Sequence, residues 1–383
     1  MIPQVIMKNL LLSIFLLGLF SITYLQAQPL KKVRKSSRFV PKEFSVSAHY
    51  GSIINNGELV SHLSSSHPAG FEVNASWLTT GKHGWEAAYG FPQIGLSLFY
   101  FDFRNPILGE AWALVPFMKW RLSENRRSRL EFKLGPGVVY TNNPWTIHSN
   151  PKNLMFSSKF NNVMYMGLEY NYRINSRIKL HTGLDLSHYS NAAYSLPNAS
   201  INIPSLSLGV TYTPHTEHVV LKDSLANYEK KWSFHALVSG SIIELDANQA
   251  RKNHIVSITA LASKRVGRKS ALNIGIEYSR NTALEQYARR LYTNAQQPVP
   301  DFRRVAIVAG HELLAGRLAL VTQLGYYVYR PFSKEPDNTP VDMPIYQRYG
   351  MKYYFHKHFF GQYTFKTYLG VAEAIEWSLG YYF

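Results

Sequence analysis

A two-residue alternation of apolar and polar side chains runs along almost the whole chain and restricts its fold more than any other feature. It is clearest at the C-terminus, where Ile375, Trp377, Leu379, Tyr381 and Phe383 occupy every second position. Successive side chains of a β-strand point to opposite faces, so this pattern predicts strands with one apolar face. After the first residues, no apolar run approaches the roughly 20 residues that a membrane-spanning helix needs. The chain is therefore predicted to be all-β.

We count about 16 strands, and an even number of antiparallel strands is the rule for bacterial outer-membrane barrels. The 26 Tyr, 21 Phe and 7 Trp supply the aromatic residues that such barrels place at both membrane interfaces. The predicted strands are Phe44 to Tyr50, Glu72 to Leu78, Trp85 to Phe103, Trp112 to Trp120, Leu130 to Tyr140, Val163 to Ile174, Arg177 to Ser190, Ile203 to Thr213, Trp232 to Leu245, His254 to Arg265, Ser270 to Ser279, Arg303 to Leu314, Leu318 to Tyr329, Ile345 to Phe355, Phe359 to Tyr368 and Ile375 to Phe383.

The connections alternate between long and short, as expected for long extracellular loops and short periplasmic turns. A short turn is predicted near Gly81, and a short loop helix over Thr282 to Arg290. The connection 214–231 breaks the rule, because it is long at a periplasmic position. It divides the barrel region into a first half, 44–213, and a second half, 232–383. We favour one wide barrel, and the alternative is two tandem eight-stranded barrels.

The N-terminus reads as a secretory signal over residues 1–27, with Lys8 before an apolar core from Leu10 to Ile22 and Ala27 before the cut. A basic periplasmic lead, 28–43, follows. Cysteine is absent, so neither disulfides nor thiolate zinc sites hold the exported chain together. The predicted location is the cell outer membrane.

The formal net charge of +17 raises the question of a nucleic-acid partner. No recognition fold or Arg-rich helix accompanies the charge, and export argues against such a partner. Cationic loops that face anionic lipopolysaccharide, or a charged lumen, explain it better.

One strand ends on residues that can carry chemistry. In Arg177 to Ser190, the apolar face of Ile178, Leu180, Leu184 and Leu186 continues through His188 and Ser190, with Lys179, His181 and Asp185 on the other face. Positions two apart on a strand face lie roughly 7 Å apart at the backbone, close enough for a hydroxyl nucleophile and its imidazole base to lean together. By the alternation of loops, this strand end is extracellular. If the stripe faces lipid, the pair is a polar site that opens on the membrane.

The residues around this pair resemble a known family. Ser187-His188-Tyr189-Ser190-Asn191-Ala192-Ala193, followed by Leu196-Pro197-Asn198 and Ile201-Asn202, looks like the signature of the lipid A 3-O-deacylases. The resemblance is good over about Leu184 to Tyr212 and implies an outer-membrane barrel hydrolase that removes an ester-linked acyl chain from lipopolysaccharide. The longer chain looks more like acyloxyacyl-hydrolase-type relatives.

The resemblance implies that His188 is the general base, Ser190 the nucleophile and Asn191 the oxyanion-hole donor. The family has a glutamate twelve positions after the serine, and here that position holds Asn202. An amide oxygen orients an imidazole but stabilises its cation less than a carboxylate does. Asn202 shares a face of the next strand with Leu206 and Leu208. We therefore expect a site whose geometry is intact and whose activity is weakened.

Two functions follow as expectations. The first is an esterase, a carboxylic ester hydrolase, that acts on lipid A in the outer leaflet. The second is a non-catalytic porin-like or structural barrel, since about 16 strands enclose a water-filled lumen unless loops plug it. No cofactor and no metal site are predicted, no His/Asp/Glu spacing favours a transition metal, and the oligomeric state is left open.

Overall fold

The computed structural model describes residues 43–55, 57–214, 228–245, 251–294, 296–333 and 343–383. The predicted signal, nearly all of the basic lead and most of the connection 214–231 lie outside these residues. The described strands form two closed antiparallel barrels, each of eight strands in sequence order. The prediction of an all-β chain with about sixteen strands is confirmed.

The preference for one wide barrel is wrong, and the alternative of two tandem eight-stranded barrels is confirmed. The physical reason lies in the strand edges. Strand β8 pairs back with β1, and β16 pairs back with β9, so each group of eight satisfies its own edge hydrogen bonds. Alternation along a strand does not reveal which distant strand closes the sheet.

Barrel 1 is built from eight strands with the following bounds: β1 Glu43–Gly51, β2 Ala69–Leu78, β3 Gln93–Asp102, β4 Glu110–Glu124, β5 Ser128–Thr141, β6 Phe160–Arg173, β7 Ile178–Ser190 and β8 Ile201–Tyr212. Its connections contain a 3₁₀ turn at Glu58–Val60 and two short helices, α1 Ser61–Ser64 and α2 Gly84–Ala88.

Barrel 2 is built from β9 Trp232–Glu244, β10 Lys252–Arg265, β11 Ser270–Asn281, β12 Arg304–Ala315, β13 Leu318–Tyr329, β14 Ile345–Tyr354, β15 Phe359–Tyr368 and β16 Val371–Tyr382. Helix α3, Thr282–Asn294, lies between β11 and β12 and confirms the predicted loop helix. Among the described residues, none of the helices has the length and apolar character required to cross a membrane.

The predicted strand Trp85 to Phe103 is confirmed only from Gln93 onward, and the short turn predicted near Gly81 is wrong, because the connection between β2 and β3 runs from 79 to 92. Helix α2 occupies Gly84–Ala88, and β3 begins only at Gln93. The buried carboxylate of Glu86 accepts the backbone N–H groups of Thr80, Gly81 and Lys82 at 3.0, 2.7 and 3.0 Å. These hydrogen bonds fold the connection back on itself, although its aromatic residues alternate as in a strand.

The walls of barrel 1 are apolar outside and polar inside. On β7, exposed and buried residues alternate: Leu184 is 64% exposed, whereas Lys179, His181 and Asp185 are buried. This is the orientation predicted for that strand. Apolar outward faces are what a lipid environment favours on a transmembrane barrel.

The interior of barrel 1 is filled by paired charges. Lys133 pairs with Glu72, and His49 lies 3.5 Å from Glu72 and 3.4 Å from Asp185. Toward the end of barrel 1 that carries the short turns, the Lys119 amino group lies 2.6 Å from Glu169. Buried charges are tolerated when they are paired, and an eight-stranded barrel is just wide enough for side chains to fill it.

Above these charges, an apolar cluster fills the end of barrel 1 that carries the long connections. It combines strand residues with loop residues, including Leu63 of α1 and Met155 and Phe156 from the β5–β6 connection. Loop side chains therefore cover the lumen at the end where β7 finishes, and the outward face of β7 remains available.

Barrel 2 has the same kind of filled interior. Its Arg348 binds Glu277 at 2.8 Å and also pairs with Glu376, while Lys352 lies 2.8 Å from Glu312. All five side chains are buried. Each barrel thus stabilises its own interior by charge pairing.

Candidate active site on the outward face of barrel 1

The candidate residues lie where β7 and β8 meet, at the end of barrel 1 with the long connections. His188 and Ser190 occupy outward positions of β7 and are half-buried, whereas Tyr189 between them points inward and is buried. Asn202 lies on β8 directly opposite His188 in the antiparallel register. The prediction that His188, Ser190 and Asn202 share an outward face agrees with these placements.

The geometry joins His188 to Asn202. Nδ1 of the imidazole lies 2.7 Å from the Asn202 side-chain oxygen, which can only accept a hydrogen bond. Nδ1 therefore carries the proton in the neutral ring, and Nε2 keeps the lone pair that a general base needs. Met164 of β6 is the register partner of His188 on its other side, so the ring lies between two neighbouring strands.

Ser190 is held by two asparagines. Asn198 donates from Nδ2 to the Ser190 hydroxyl oxygen at 3.0 Å, and Asn162 of β6 donates to the Ser190 carbonyl at 3.4 Å. The first contact places an amide donor beside the hydroxyl oxygen that would act as nucleophile. Each of the two oxygens of Ser190 therefore accepts a hydrogen bond from a side-chain amide.

Asn191 follows Ser190, and its side chain turns away from the outward face. It is buried and donates from Nδ2 to the hydroxyls of Ser157 and Ser158 at 3.3 and 3.0 Å. Its backbone N–H donates to the side-chain oxygen of Asn198 at 3.3 Å. Asn191, predicted as an oxyanion donor, thus contacts the Asn198 side chain through its backbone N–H, and its own side chain lies elsewhere.

The β7–β8 connection is unusual in its backbone. Ala192, Ala193 and Ser200 have φ values of 50°, 63° and 60°, in the left-handed region that non-glycine residues rarely adopt. Strain of this kind is kept only where surrounding contacts determine the backbone, and it is common near functional sites. The connection that carries Asn198 is therefore held in a defined shape.

The contacts of Asn198, Ser157 and Ser158 near Ser190 and Asn191 were not predicted from the sequence. Asn198 stands in the string Leu196-Pro197-Asn198, which carried the resemblance without a role for the amide. The two serines come from the β5–β6 connection, more than thirty positions earlier in the chain. No local pattern indicated that contact. Among the described residues, no group of His, Cys, Asp or Glu has an arrangement that could hold a metal ion.

Two family models match adjacent parts of the chain. The model described as lipid A 3-O-deacylase (PagL) matches residues 69–211, which includes all the candidate site residues. The model described as acyloxyacyl hydrolase, C-terminal domain, matches residues 232–383, the whole of barrel 2. Together they account for most of the described strands.

Solved structures similar to this chain are outer-membrane proteins of low identity. The outer membrane enzyme PagL is 17% identical, over 43% of this chain and 97% of its own, with a TM-score of 0.32. The outer membrane protein Omp33 of Acinetobacter baumannii is 8% identical over 90% of this chain and 99% of its own, with a TM-score of 0.17. An outer membrane channel of Pseudomonas putida F1 is 10% identical over 93% and 99%, with a TM-score of 0.19. No curated protein matches the sequence.

Proposed function

We propose, because the chain belongs to the outer-membrane family of lipid A 3-O-deacylases and acyloxyacyl hydrolases, that barrel 1 is an esterase that removes an ester-linked acyl chain from lipid A. The observation that carries the proposal is the 2.7 Å contact between His188 Nδ1 and the Asn202 side-chain oxygen. His188 lies on the outward face of β7, two residues before Ser190. The contact leaves the imidazole in the form that acts as a base.

In the proposed reaction, Ser190 Oγ attacks the ester carbonyl carbon while His188 Nε2 takes the hydroxyl proton. The protonated imidazole then gives that proton to the departing sugar oxygen, which leaves the acyl group on Ser190. A water molecule, deprotonated by the same imidazole, then attacks the carbonyl carbon of the acyl-enzyme, and the imidazolium returns that proton to Ser190 Oγ as the bond to the fatty acid breaks. Neither step requires a metal or an organic cofactor.

The developing oxyanion needs donors close to Ser190. The Asn198 side-chain amide lies 3.0 Å from Oγ, and the backbone N–H of Asn191 is directed to the same loop residue. We assign Asn198 Nδ2 and the Asn191 backbone N–H to oxyanion stabilisation, in which each exchanges its present partner for the substrate oxygen; one such donor contributes about 10²–10³-fold in rate. The Asn191 side chain has a different task, because its bonds to Ser157 and Ser158 hold the connection.

Asn202 serves as the orienting residue. A neutral amide fixes the ring and its tautomer, but it adds no charge to stabilise the imidazolium that forms in the transition state. This predicts slower turnover than a carboxylate at the same position would give.

The substrate reaches the site from the membrane. Leu184 and Leu186 lie below His188 on the outward face of β7, and Leu206 and Leu208 continue this apolar surface on β8. An acyl chain lying against that surface places its ester near Ser190 without entering the filled lumen. The porin-like alternative is motivated by the strand count and the basic composition, and two eight-stranded barrels with filled interiors argue against the wide lumen that the strand count implied.

Mass spectrometry of lipid A from outer membranes that contain the wild-type chain tests the proposal. We expect loss of one acyl chain with the wild type and no loss with Ser190→Ala. Ser187→Ala is the matched control, because Ser187 lies on the same strand but is buried on the inward face. It should deacylate like the wild type. Identical lipid A with and without the wild-type protein, or unchanged activity of Ser190→Ala, would refute the proposal.

A further inference from the structure

Barrel 2 carries a cluster of exposed arginines and tyrosines at the end of its wall where the long connections lie. We call Tyr278, Arg280, Asp301, Arg303 and Tyr329 the arginine rim. Tyr278 and Arg280 come from the end of β11, Asp301 and Arg303 precede β12, and Tyr329 ends β13. Three neighbouring strands therefore contribute to one stretch of rim.

The rim arginines are oriented by carboxylates but remain open to solvent. Arg303 Nε donates to Asp301 at 2.9 Å, and the Tyr329 hydroxyl donates to the other oxygen of the same carboxylate at 2.9 Å. Arg280 donates to Glu285 of α3 at 2.9 Å. Both arginine side chains are 56% exposed. A guanidinium has five N–H donors, more than these contacts use, so the fork is fixed in direction and still able to bind an anion.

The charge of this region is positive. Residues 280–303, from the end of β11 to the start of β12, contain four arginines and two carboxylates: Arg280, Arg289, Arg290 and Arg303, with Glu285 and Asp301. The hydrogen bonds from Arg303 lower the pKa of Asp301, so the carboxylate stays ionised and keeps the Arg303 guanidinium in place. An excess of guanidinium remains for an external anion.

The position of the rim selects the kind of anion. Directly below it, outward residues Ile276, Ile274 and Ile307 are 62%, 56% and 47% exposed, as expected of a wall in contact with hydrocarbon. Tyr278 and Tyr329 are 42% and 44% exposed at the upper edge of this wall, the level at which aromatic residues mark a membrane interface. An anion held there belongs to a lipid whose acyl chains can lie against the isoleucines.

We propose that the arginine rim binds the phosphorylated sugar head group of a glycolipid in the outer leaflet, so that barrel 2 is a substrate-binding module. The identification of that lipid as the enzyme's substrate rests on the proposed function. Guanidinium groups bind phosphate through paired, charge-assisted hydrogen bonds, and tyrosine hydroxyls can bond to sugar oxygens.

The test measures binding without turnover, using the full chain with Ser190→Ala in detergent micelles. The probes are lipid A with two phosphates and the same lipid with both phosphates removed. The rim variant is Arg280→Gln with Arg303→Gln. The matched control is Arg268→Gln with Arg317→Gln, which removes the same charge from two exposed turn residues at the opposite end of barrel 2. Altered gel mobility before and after heating reports that each variant is folded.

We expect the rim variant to bind bisphosphorylated lipid A about thirtyfold more weakly, since each cation near an anionic surface contributes about fivefold. The control variant should bind like the parent, and removal of the phosphates should weaken binding to the parent by a similar factor. Equal binding by the rim variant, or equal affinity for both lipids, would overturn the proposal.

A second measurement separates this proposal from the esterase proposal. With Ser190 restored, the rim variant should hydrolyse a phosphate-free p-nitrophenyl acyl ester at the wild-type rate, while KM for lipid A rises and kcat changes little. Absence of hydrolysis of both substrates by the wild type refutes the esterase function alone. Loss of phosphate-dependent binding in the rim variant would support the rim in that case as well.

Discussion

Barrels 1 and 2 share an architecture and differ in the hairpin that ends each of them. In barrel 1, β7 and β8 are joined by residues 191–200, whereas in barrel 2 only Leu369 and Gly370 join β15 to β16. The two-residue connection has φ values of 47° and 82°, as in the tight turns that suit antiparallel strands. The longer connection contains three strained non-glycine residues and supplies Asn198 to Ser190.

The comparison shows that the groups inside each barrel and the candidate catalytic groups lie in different places. The interiors of both barrels follow the same rule, with a buried cation between carboxylates: Lys133 beside Glu72 in barrel 1, and Arg348 beside Glu277 in barrel 2. The candidate catalytic residues instead occupy outward positions next to one long connection. The same fold can therefore carry the proposed hydrolase site in one half and the proposed binding rim in the other, since function depends on local groups rather than on the barrel.

The largest expected effect comes from His188, at an outward position of barrel 1. His188→Ala removes the proposed base, and we expect lipid A hydrolysis to fall by about 10³-fold or more. His311 also lies on an outward position, on β12 of barrel 2, and His311→Ala should leave the rate unchanged. Initial rates with purified proteins decide the matter. A comparable loss with His311→Ala would place chemistry in barrel 2 and contradict the assignment of hydrolysis to barrel 1 alone.

A smaller effect is expected at Asn202. Asn202→Ala should lower kcat by about 10- to 10³-fold, because the ring loses the acceptor that fixes its tautomer. Asn202→Glu should raise kcat above the wild-type value, since a carboxylate stabilises the imidazolium that forms. The measurement is kcat for a p-nitrophenyl ester as a function of pH. If Asn202 were merely structural, replacing it with glutamate would not raise kcat. Full activity of Asn202→Ala would mean that another group orients His188.

Local sequence patterns predicted the strands and their faces well. Strand β7 is an example, because one alternation places Leu184 in lipid and Asp185 in the lumen and also carries His188 and Ser190 to the outer wall. The register with Asn202 followed from the same rule applied to β8. These properties depend on residues close in the chain, which is why they could be read directly.

Closure and loop contacts depend on residues far apart, and the sequence did not predict them. Strand β8 pairs with β1 and not with β9. Both β1 and β9 alternate apolar and polar side chains, so the pattern does not distinguish them as partners. The hydrogen bonds from Asn191 to Ser157 and Ser158 connect two loops. The Glu86 carboxylate accepts backbone N–H groups within a segment whose side chains alternate as in a strand. In each case a tertiary or side-chain-to-backbone contact overrides the pattern.

The smallest effect concerns how the two regions respond to acid. The hydrolysis proposed for barrel 1 requires an unprotonated imidazole, so turnover should fall as the pH is lowered. At the arginine rim, the pKa of Asp301 is lowered by hydrogen bonds from Arg303 and Tyr329. A carboxylate with a depressed pKa keeps its ion pair above that pKa and loses it only when the pH falls through it.

We therefore expect lipid A binding by the Ser190→Ala chain to change by less than about twofold between pH 5 and pH 4. A phosphate monoester gains one proton near pH 6, at its second pKa, and therefore keeps a single negative charge throughout this pH range. Asp301→Asn serves as the reference, since it has no carboxylate to titrate beside Arg303. A severalfold change in the Ser190→Ala chain, with a flat response after Asp301→Asn, would show that the pair is already breaking in this range and that Arg303 is not held as described.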